Sequence, residues 1–376
     1  MRVLSFVALV AIVTLGVPSR SASPAYLLYA ASEASDRIAL LRFDGVALRV
    51  ERDFGTGVMP VDIDGPHGVA VSPDGRFVFV SLAHGQPNGA VWKYETATGA
   101  VAGRVTLGMF PATLQVSPSG EFVYVVNFNL HGDPVPSSVS VVHAESMLEI
   151  ARIPTCRMPH GSRFNVSGTR HYSACMMDDV VVEIDTGTLR VSRHFTLAAG
   201  VEGGGTGPPP PAARTYHDAS GHGAATPKGG AATCSPTWVQ PASDGNAIYV
   251  ACNGTSEIVE IGTDAWTVTR RLPGRPGVYN LAVTHDGRLL ATNRRDASVS
   301  IFDLKTRREA ARITTPRQVV HGVVVTPDDR YAFASVEGIG AEPGTVIAID
   351  LAGMKAVAAV DVGPQAGGID FWKMDR

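Results

Sequence analysis

The chain has 376 residues, of which 45% are hydrophobic and 18% charged, with a formal net charge of −3. That balance supplies a large core, and without a long basic run it excludes the electrostatic footprint of nucleic-acid or anionic-membrane binding. Forty glycines and 25 prolines favour many short strands joined by turns.

Residues 1–25 read as a targeting segment. Arg2 is the positive start, and Val3 to Val17 is an apolar run too short to be a good membrane span. Small residues follow. Cleavage after Ala25 fits best, with Ser23 and Ala25 as the small flanking residues, and Ser21 is the other point. No Cys follows the apolar run, so no lipid anchor is expected. The mature chain, 26–376, is expected in the periplasm or secreted, without a membrane span.

The stretch "PHGVAVSPDGRFVFVS" from Pro66 is a strand, a polar turn and a second strand. It returns at Pro111, Pro159, Pro236, Gly277 and Val320. The turn positions Gly75, Gly120, Gly168, Gly245, Gly287 and Asp329 follow one another at steps of about 45, 48, 77, 42 and 42 residues. A period of roughly 40–50 residues marks propeller blades. Each copy is followed by two more alternating segments, for example "EIVEIGTDAWTVTRRLPG", so a unit has four antiparallel strands. Six units are complete. "YLLYAAS", "RIALLRF" and "ALRVERDF" at one end lack an inner strand, and "GPQAGGIDFWKM" at the other lacks partners. Together they predict a seventh blade and an all-β, seven-bladed β-propeller whose closure removes exposed sheet edges. The long step contains a Gly/Pro-rich insertion, 200–233, expected as a surface loop.

"YVVN" at Tyr124–Asn127, "YVACN" at Tyr249–Asn253 and "LATN" at Leu290–Asn293 follow these turns. They resemble the repeat of the YVTN family of exported propellers over nearly the whole mature chain. A weaker resemblance extends to the propellers of nitrous oxide reductase, the dissimilatory nitrite reductases and bacterial lactonases. It implies the fold and leaves function open, because propellers host unrelated chemistries.

Blades are numbered along the chain from Pro66. Counting back from the turns matches His67, His160 and His321 on blades 1, 3 and 6, with Ala112, Thr237, Tyr279 and Gln365 on the others. This position starts the innermost strand, at one mouth of the central channel. Each histidine precedes a glycine (Gly68, Gly161, Gly322), which is read as room for a ligand. Three neutral imidazoles around an axis suit a transition metal: copper, zinc or iron. The resemblance to nitrous oxide reductase, whose matched channel histidines bind copper, points the same way. The plainer alternative is that each imidazole bonds backbone or water.

Cys156 and Cys175, and Cys234 and Cys252, occupy the same places in two successive blades. They are read as disulfides, with a soft-metal site built with Met158, His160, Met176 and Met177 as the alternative. Arg163, Trp238 and Tyr279 fall near the channel, where an Arg clamps a carboxylate or phosphate and aromatic rings stack on a flat ligand. The insertion offers His217, Asp218 and His222, of which His222 is a fourth candidate metal ligand. His84, His131, Asp62 and Asp64 sit in loops and are expected to be solvated. No nucleophile elbow, phosphate loop or haem-attachment motif is present.

The leading expectation is therefore an exported, monomeric propeller that binds a metal ion or small molecule at its channel mouth. The alternatives are an enzyme, either a metal-dependent oxidoreductase or a lactonase-like hydrolase, and a scaffold for a partner protein.

Overall fold

The computed structural model describes residues 24–57, 62–84, 88–210 and 233–375. Seven antiparallel sheets form a ring, and in six of them the strands run in sequence order from axis to rim. The inner strands are Pro66–Val71, Pro111–Val116, Pro159–Phe164, Pro236–Pro241, Val278–Val283, Val320–Val325 and Ala366–Asp375. The last belongs to the closing blade, where Ala366–Asp375 pairs with Ala25–Ser32 and the sheet continues through Arg37–Phe43 to Leu48–Gly55. Ala25, opposite Asp375, opens that blade, and the candidate targeting segment up to residue 23 lies outside the described residues. The one helical turn among the described residues, Glu33–Ser35, links Ala25–Ser32 to Arg37–Phe43.

The core lies between blades. Seven buried clusters each draw on two neighbours: Tyr29, Leu40, Val69 and Val80 join the closing blade to blade 1, and Phe43, Phe333, Val346 and Ile369 join it to blade 6. Alternation along each strand puts one apolar face against each neighbour, so closing the ring buries the two faces that an open array would expose.

One irregularity repeats. In every blade the ladder between the first and second strands shifts directly after the first inner-strand residue, for example between Pro66 and Val69 and between Val320 and Val323. A bulge re-aims side chains, and here it aims the second residue of the strand at the axis. The register gives Gly367 this place in the closing blade, because Ala366 opposes Ser32 as Val320 opposes Val336. Gln365, expected there from sequence, is one of the left-handed residues that precede the inner strands, with φ 53°.

The glycines after the three histidines have a different reason from the one expected. A Cβ on Gly68 would stand 2.3 Å from the Ala112 carbonyl oxygen, on Gly161 2.5 Å from that of Thr237, and on Gly322 2.8 Å from that of Gly367. The next blade's inner strand, not a ligand, needs the space.

The repeat motif also acquires a cause. Asn127 ends the second strand of blade 2 and donates to Ser138 Oγ (2.9 Å) and Ser140 Oγ (2.8 Å) on the third strand; Asn293 does the same with Ser298 and Ser300. In blades 3 and 4 this register position is cysteine: Cys175 and Cys252 are bonded to Cys156 and Cys234, and no cysteine is free. The disulfide reading holds, and asparagine and disulfide are two ways of fixing one strand end. Within the insertion, Gly203–Thr206 forms a fifth strand on blade 3 rather than a loop; residues 211–232, with His217, Asp218 and His222, lie outside the described residues.

The bridges close loops of 19 and 18 residues, so each is expected to add about 3 kcal/mol. Urea unfolding of Cys156→Ser/Cys175→Ser against the parent checks this, and thiol titration of the unfolded, unreduced chain is expected to find no sulfhydryl. Gly161→Ala is expected to cost about 1–3 kcal/mol by overpacking; an unchanged urea midpoint would contradict the close inter-blade approach.

Candidate functional site

The bulged second positions converge at one channel mouth. The His67 ring lies 5.4 Å from that of His321 and 6.3 Å from that of His160, and Tyr279 lies 5.2 Å from His160 and 5.0 Å from His321. The matched positions found by counting are thus neighbours in space.

Their chemistry differs. His160 is fully engaged: Nδ1 donates to the Thr237 carbonyl (3.0 Å), and Nε2 accepts from the Tyr279 hydroxyl (2.9 Å). Burial, then the charge on His67, holds its pKa down to about 3. Burial also pushes the Tyr279 phenol up to about 12, so Tyr279 keeps the proton it donates. His321 is likewise kept neutral, by burial and then by Arg294, well below the usual imidazole range. His67 is the opposite case. Burial opposes its charge, but Glu33, 2.6 Å from Nδ1, outweighs that and raises its pKa. The other Glu33 oxygen meets His84 Nε2 at 2.6 Å. Burial works against the carboxylate, yet His67 and His84 together hold it ionised.

Glu33 was missed in the sequence, although the same ruler finds it. The residue directly after the second strand donates its N–H to the left-handed residue before the inner strand in all seven blades. These residues are Ala83, Phe128, Met176, Asn253, Arg294, Glu337 and Glu33. Blades 5, 6 and 7 place charge there, and Arg294 pairs with Glu337 at 3.1 Å. Blades 1, 2 and 3 place apolar groups, with Phe110 and Phe128 packed against Met158 and Met176. The mouth has a charged arc and an apolar arc. His84 belongs to the charged arc rather than to solvent, whereas His131 is exposed, as expected. Asp62 is exposed.

Just inside lies a chamber of about 30 Å³ lined by His67, Thr113, Arg163, Trp238, Asn280, His321 and the glycines at 68, 322, 367 and 368. Four buried polar atoms on these residues have no partner among the described residues: His67 Nε2, His321 Nδ1, Trp238 Nε1 and Asn280 Oδ1. Arg163, on the fifth residue of its strand, lays its guanidinium 4.4 Å over the Trp238 ring and gives one N–H to the Ser162 carbonyl. Below it a cavity of about 180 Å³ contains Gln115, Gln240 and Asp370. Burial pulls Arg163 down to about 10 and pushes Asp370 up to about 6.

The donor set does not fit one ion shared by three imidazoles. His160 has no nitrogen to give while Tyr279 and Thr237 hold it, and among the described residues no group of three or more His, Cys, Asp or Glu is disposed to hold a metal. The soft-metal alternative at the cysteines is replaced by the disulfides.

No family model matches the chain, and no curated protein matches it. Solved structures do. The periplasmic gluconolactonase PpgL of Pseudomonas aeruginosa aligns at TM-score 0.66 and 17% identity over 93% of this chain and 99% of its own. The dihydro-heme d1 dehydrogenase NirN, in complex with DHE, aligns at 0.59 and 16% over 94% and 77%. Hydrazine synthase of Kuenenia stuttgartiensis aligns at 0.58 and 21% over 79% of each chain. At these identities the likeness is one of fold: a seven-bladed propeller whose relatives in shape include enzymes.

The Glu33–His67 pair sets a pH window. A raised histidine stabilises fully below its ordinary value of 6.5 and loses that contribution as pH rises through its folded value; a lowered carboxylate stabilises above its ordinary 4.5 and loses it as pH falls through its folded value. The pair therefore contributes most between those two ordinary values. In Glu33→Gln, burial acts on His67 against Glu337 alone, so its NMR titration midpoint is expected to drop below 6.5. A midpoint that stays raised would show that Glu33 is not the cause.

Proposed function

We propose that this chain is an exported, monomeric binding propeller that holds a small ligand, polar on one side and apolar on the other, at the channel mouth. The observation that carries this reading is that four buried polar atoms without a partner among the described residues belong to side chains lining one chamber. Buried polar atoms are paired in nearly all native structures, and each unpaired one costs about 1–3 kcal/mol. A group that reaches all four recovers that cost on binding. The divided mouth above adds an arc of Glu33, Arg294 and Glu337 facing one of Phe128 and Met176. The two disulfides support export, since such bonds persist in oxidising compartments.

A second reading, a lactonase-like hydrolase, is favoured by one feature. Glu33 holds the His67 imidazolium with its remaining nitrogen in the chamber wall, the arrangement of a general acid beside a bound carbonyl or ring oxygen. Among the described residues the mouth offers no set of three or more metal donors for a metal-dependent oxidoreductase.

A thermal-shift screen of small carboxylic acids, sugar acids and lactones tests both. A ligand present at 100 times its Kd stabilises by about 2.7 kcal/mol, and His321→Ala is expected to weaken the response. No shift from any compound, with waters alone bonding the four atoms in a crystal structure, would remove the binding reading. For the enzyme reading, hydrolysis of aldonolactones above the spontaneous rate is expected to fall on the order of 10²–10⁴-fold in His67→Gln. Turnover unaffected by that change would exclude His67 as the acid.

A further inference from the structure

We propose that the chamber below the mouth is an anion site, which takes the carboxylate of a larger ligand or a free anion of about three heavy atoms, such as formate or nitrite. This rests on the binding reading above and names the chemistry of its innermost contact.

Size comes first. A water needs roughly 10–15 Å³ of such space, so about 30 Å³ admits two waters or one triatomic group. Charge comes second. Among the described residues no carboxylate lines the chamber. Glu33 bonds His67 on its Nδ1 side, Glu337 is at the mouth with Arg294 and 3.7 Å from His321 Nε2, and Asp370 is in the lower cavity, which Arg163 also lines. Two groups that carry positive charge do line it, Arg163 and His67. Glu33 favours the imidazolium, in which Nε2 also carries a proton.

Hydrogen-bond polarity comes third. Trp238 Nε1 is only ever a donor, and it is buried at 4% exposure without a partner. Protonated His67 Nε2 is a second donor. Arg163 commits one N–H to Ser162 and makes no other hydrogen bond to the described residues; the rest of its fork has the planar geometry that suits a carboxylate. His321 Nδ1 carries its proton in one of the two neutral tautomers. Asn280 Oδ1 is the one fixed acceptor, and a half-turn of its amide presents N–H₂ instead. Donors therefore predominate around a space with positive walls, and that combination selects an anion over a neutral molecule of the same shape.

The test compares sodium formate with formamide, which match in size and differ in charge, by isothermal titration of the full mature chain at constant ionic strength held with sodium sulfate. Saturable formate binding is expected, with formamide at least tenfold weaker. Trp238→Phe, which removes the donor and keeps an aromatic ring under Arg163, is expected to weaken formate at least tenfold, and Arg163→Met more. Should Arg163→Met fail to fold, a bromide-soaked crystal of the unaltered chain gives the same answer, with anomalous density expected between Arg163 and Trp238. Formamide binding as tightly as formate, or formate unaffected by Trp238→Phe, would overturn the anion assignment and leave the polar-ligand reading standing. Binding of neither, with two waters filling the chamber, would end both.

Discussion

The constraint on which the structure depends is the bulge at the start of each inner strand. It takes one or two residues out of the ladder, and in blades 1, 5 and 6 a hydroxyl on the blade's own second strand takes up the freed N–H and also reaches the freed carbonyl of the next blade. Ser81 Oγ accepts from Gly68 N–H and donates to the Ala112 carbonyl of the next blade; Ser335 does the same for Gly322 and Gly367, and Thr292 for Asn280 and His321. A hydroxyl on one blade thus clasps the next. Where blade 3 has Ala174 at the clasp position, His160 Nδ1 bonds Thr237 itself. The glycines after the bulge permit the approach that makes these short bonds possible. Ring closure and channel lining are the same set of contacts.

That origin explains why three matched histidines have three characters. His160 is a clasp that also receives Tyr279 from blade 5 and so becomes a strut across the channel. Its nitrogens are used by the fold. The clasps near His67 and His321 are made by serine and threonine, which leaves those imidazoles with a nitrogen to spare. Their protonation then follows from what the second ruler position supplies. Glu33 beside His67 draws a proton in against burial, whereas at His321 burial first and then Arg294 keep one out. Position in the repeat fixes where an imidazole stands, and the neighbouring blade decides what it does.

The same distinction sets how much was legible in the sequence. The blades, the closing seventh, the disulfide pairs and the meeting of His67, His160 and His321 follow from a period and a register, which sequence records directly. Glu33 was legible in principle, since it stands one residue past the second strand just as Arg294 and Glu337 do. A count from the hairpin turn does not reach it, because the closing blade's first hairpin is split between the chain's two ends. The committed state of His160 was not legible. It depends on Tyr279, 119 residues away, and on Ala174 lacking a hydroxyl, a deletion that no motif marks. The purpose of Gly68, Gly161 and Gly322 was misread for a similar reason, because the atom that excludes a Cβ belongs to the next blade. Gly203–Thr206 escaped because composition argued for a loop, whereas the exposed edge of Arg190–Thr196 offered a ladder that needs no side chains.

The choice between a cation and an anion in the chamber turns on residues outside the histidine set. A carboxylate on one imidazole nitrogen is an arrangement that metal sites themselves use to orient a ligand, so Glu33 and His67 alone fit either. The count of lone pairs decides. Among the described residues, removing His160 leaves two imidazole nitrogens without a partner, His67 Nε2 and His321 Nδ1, fewer than the three protein ligands of even an open catalytic site. A bound cation would also share the chamber with Arg163 and with the Trp238 N–H, one of like charge and the other a donor that cannot ligate. An anion meets none of these obstacles, and for it the Glu33 charge is held back by the whole width of the His67 ring. Three imidazoles on a ring suggest a metal, and the two side chains that share their wall, Arg163 and Trp238, favour an anion instead.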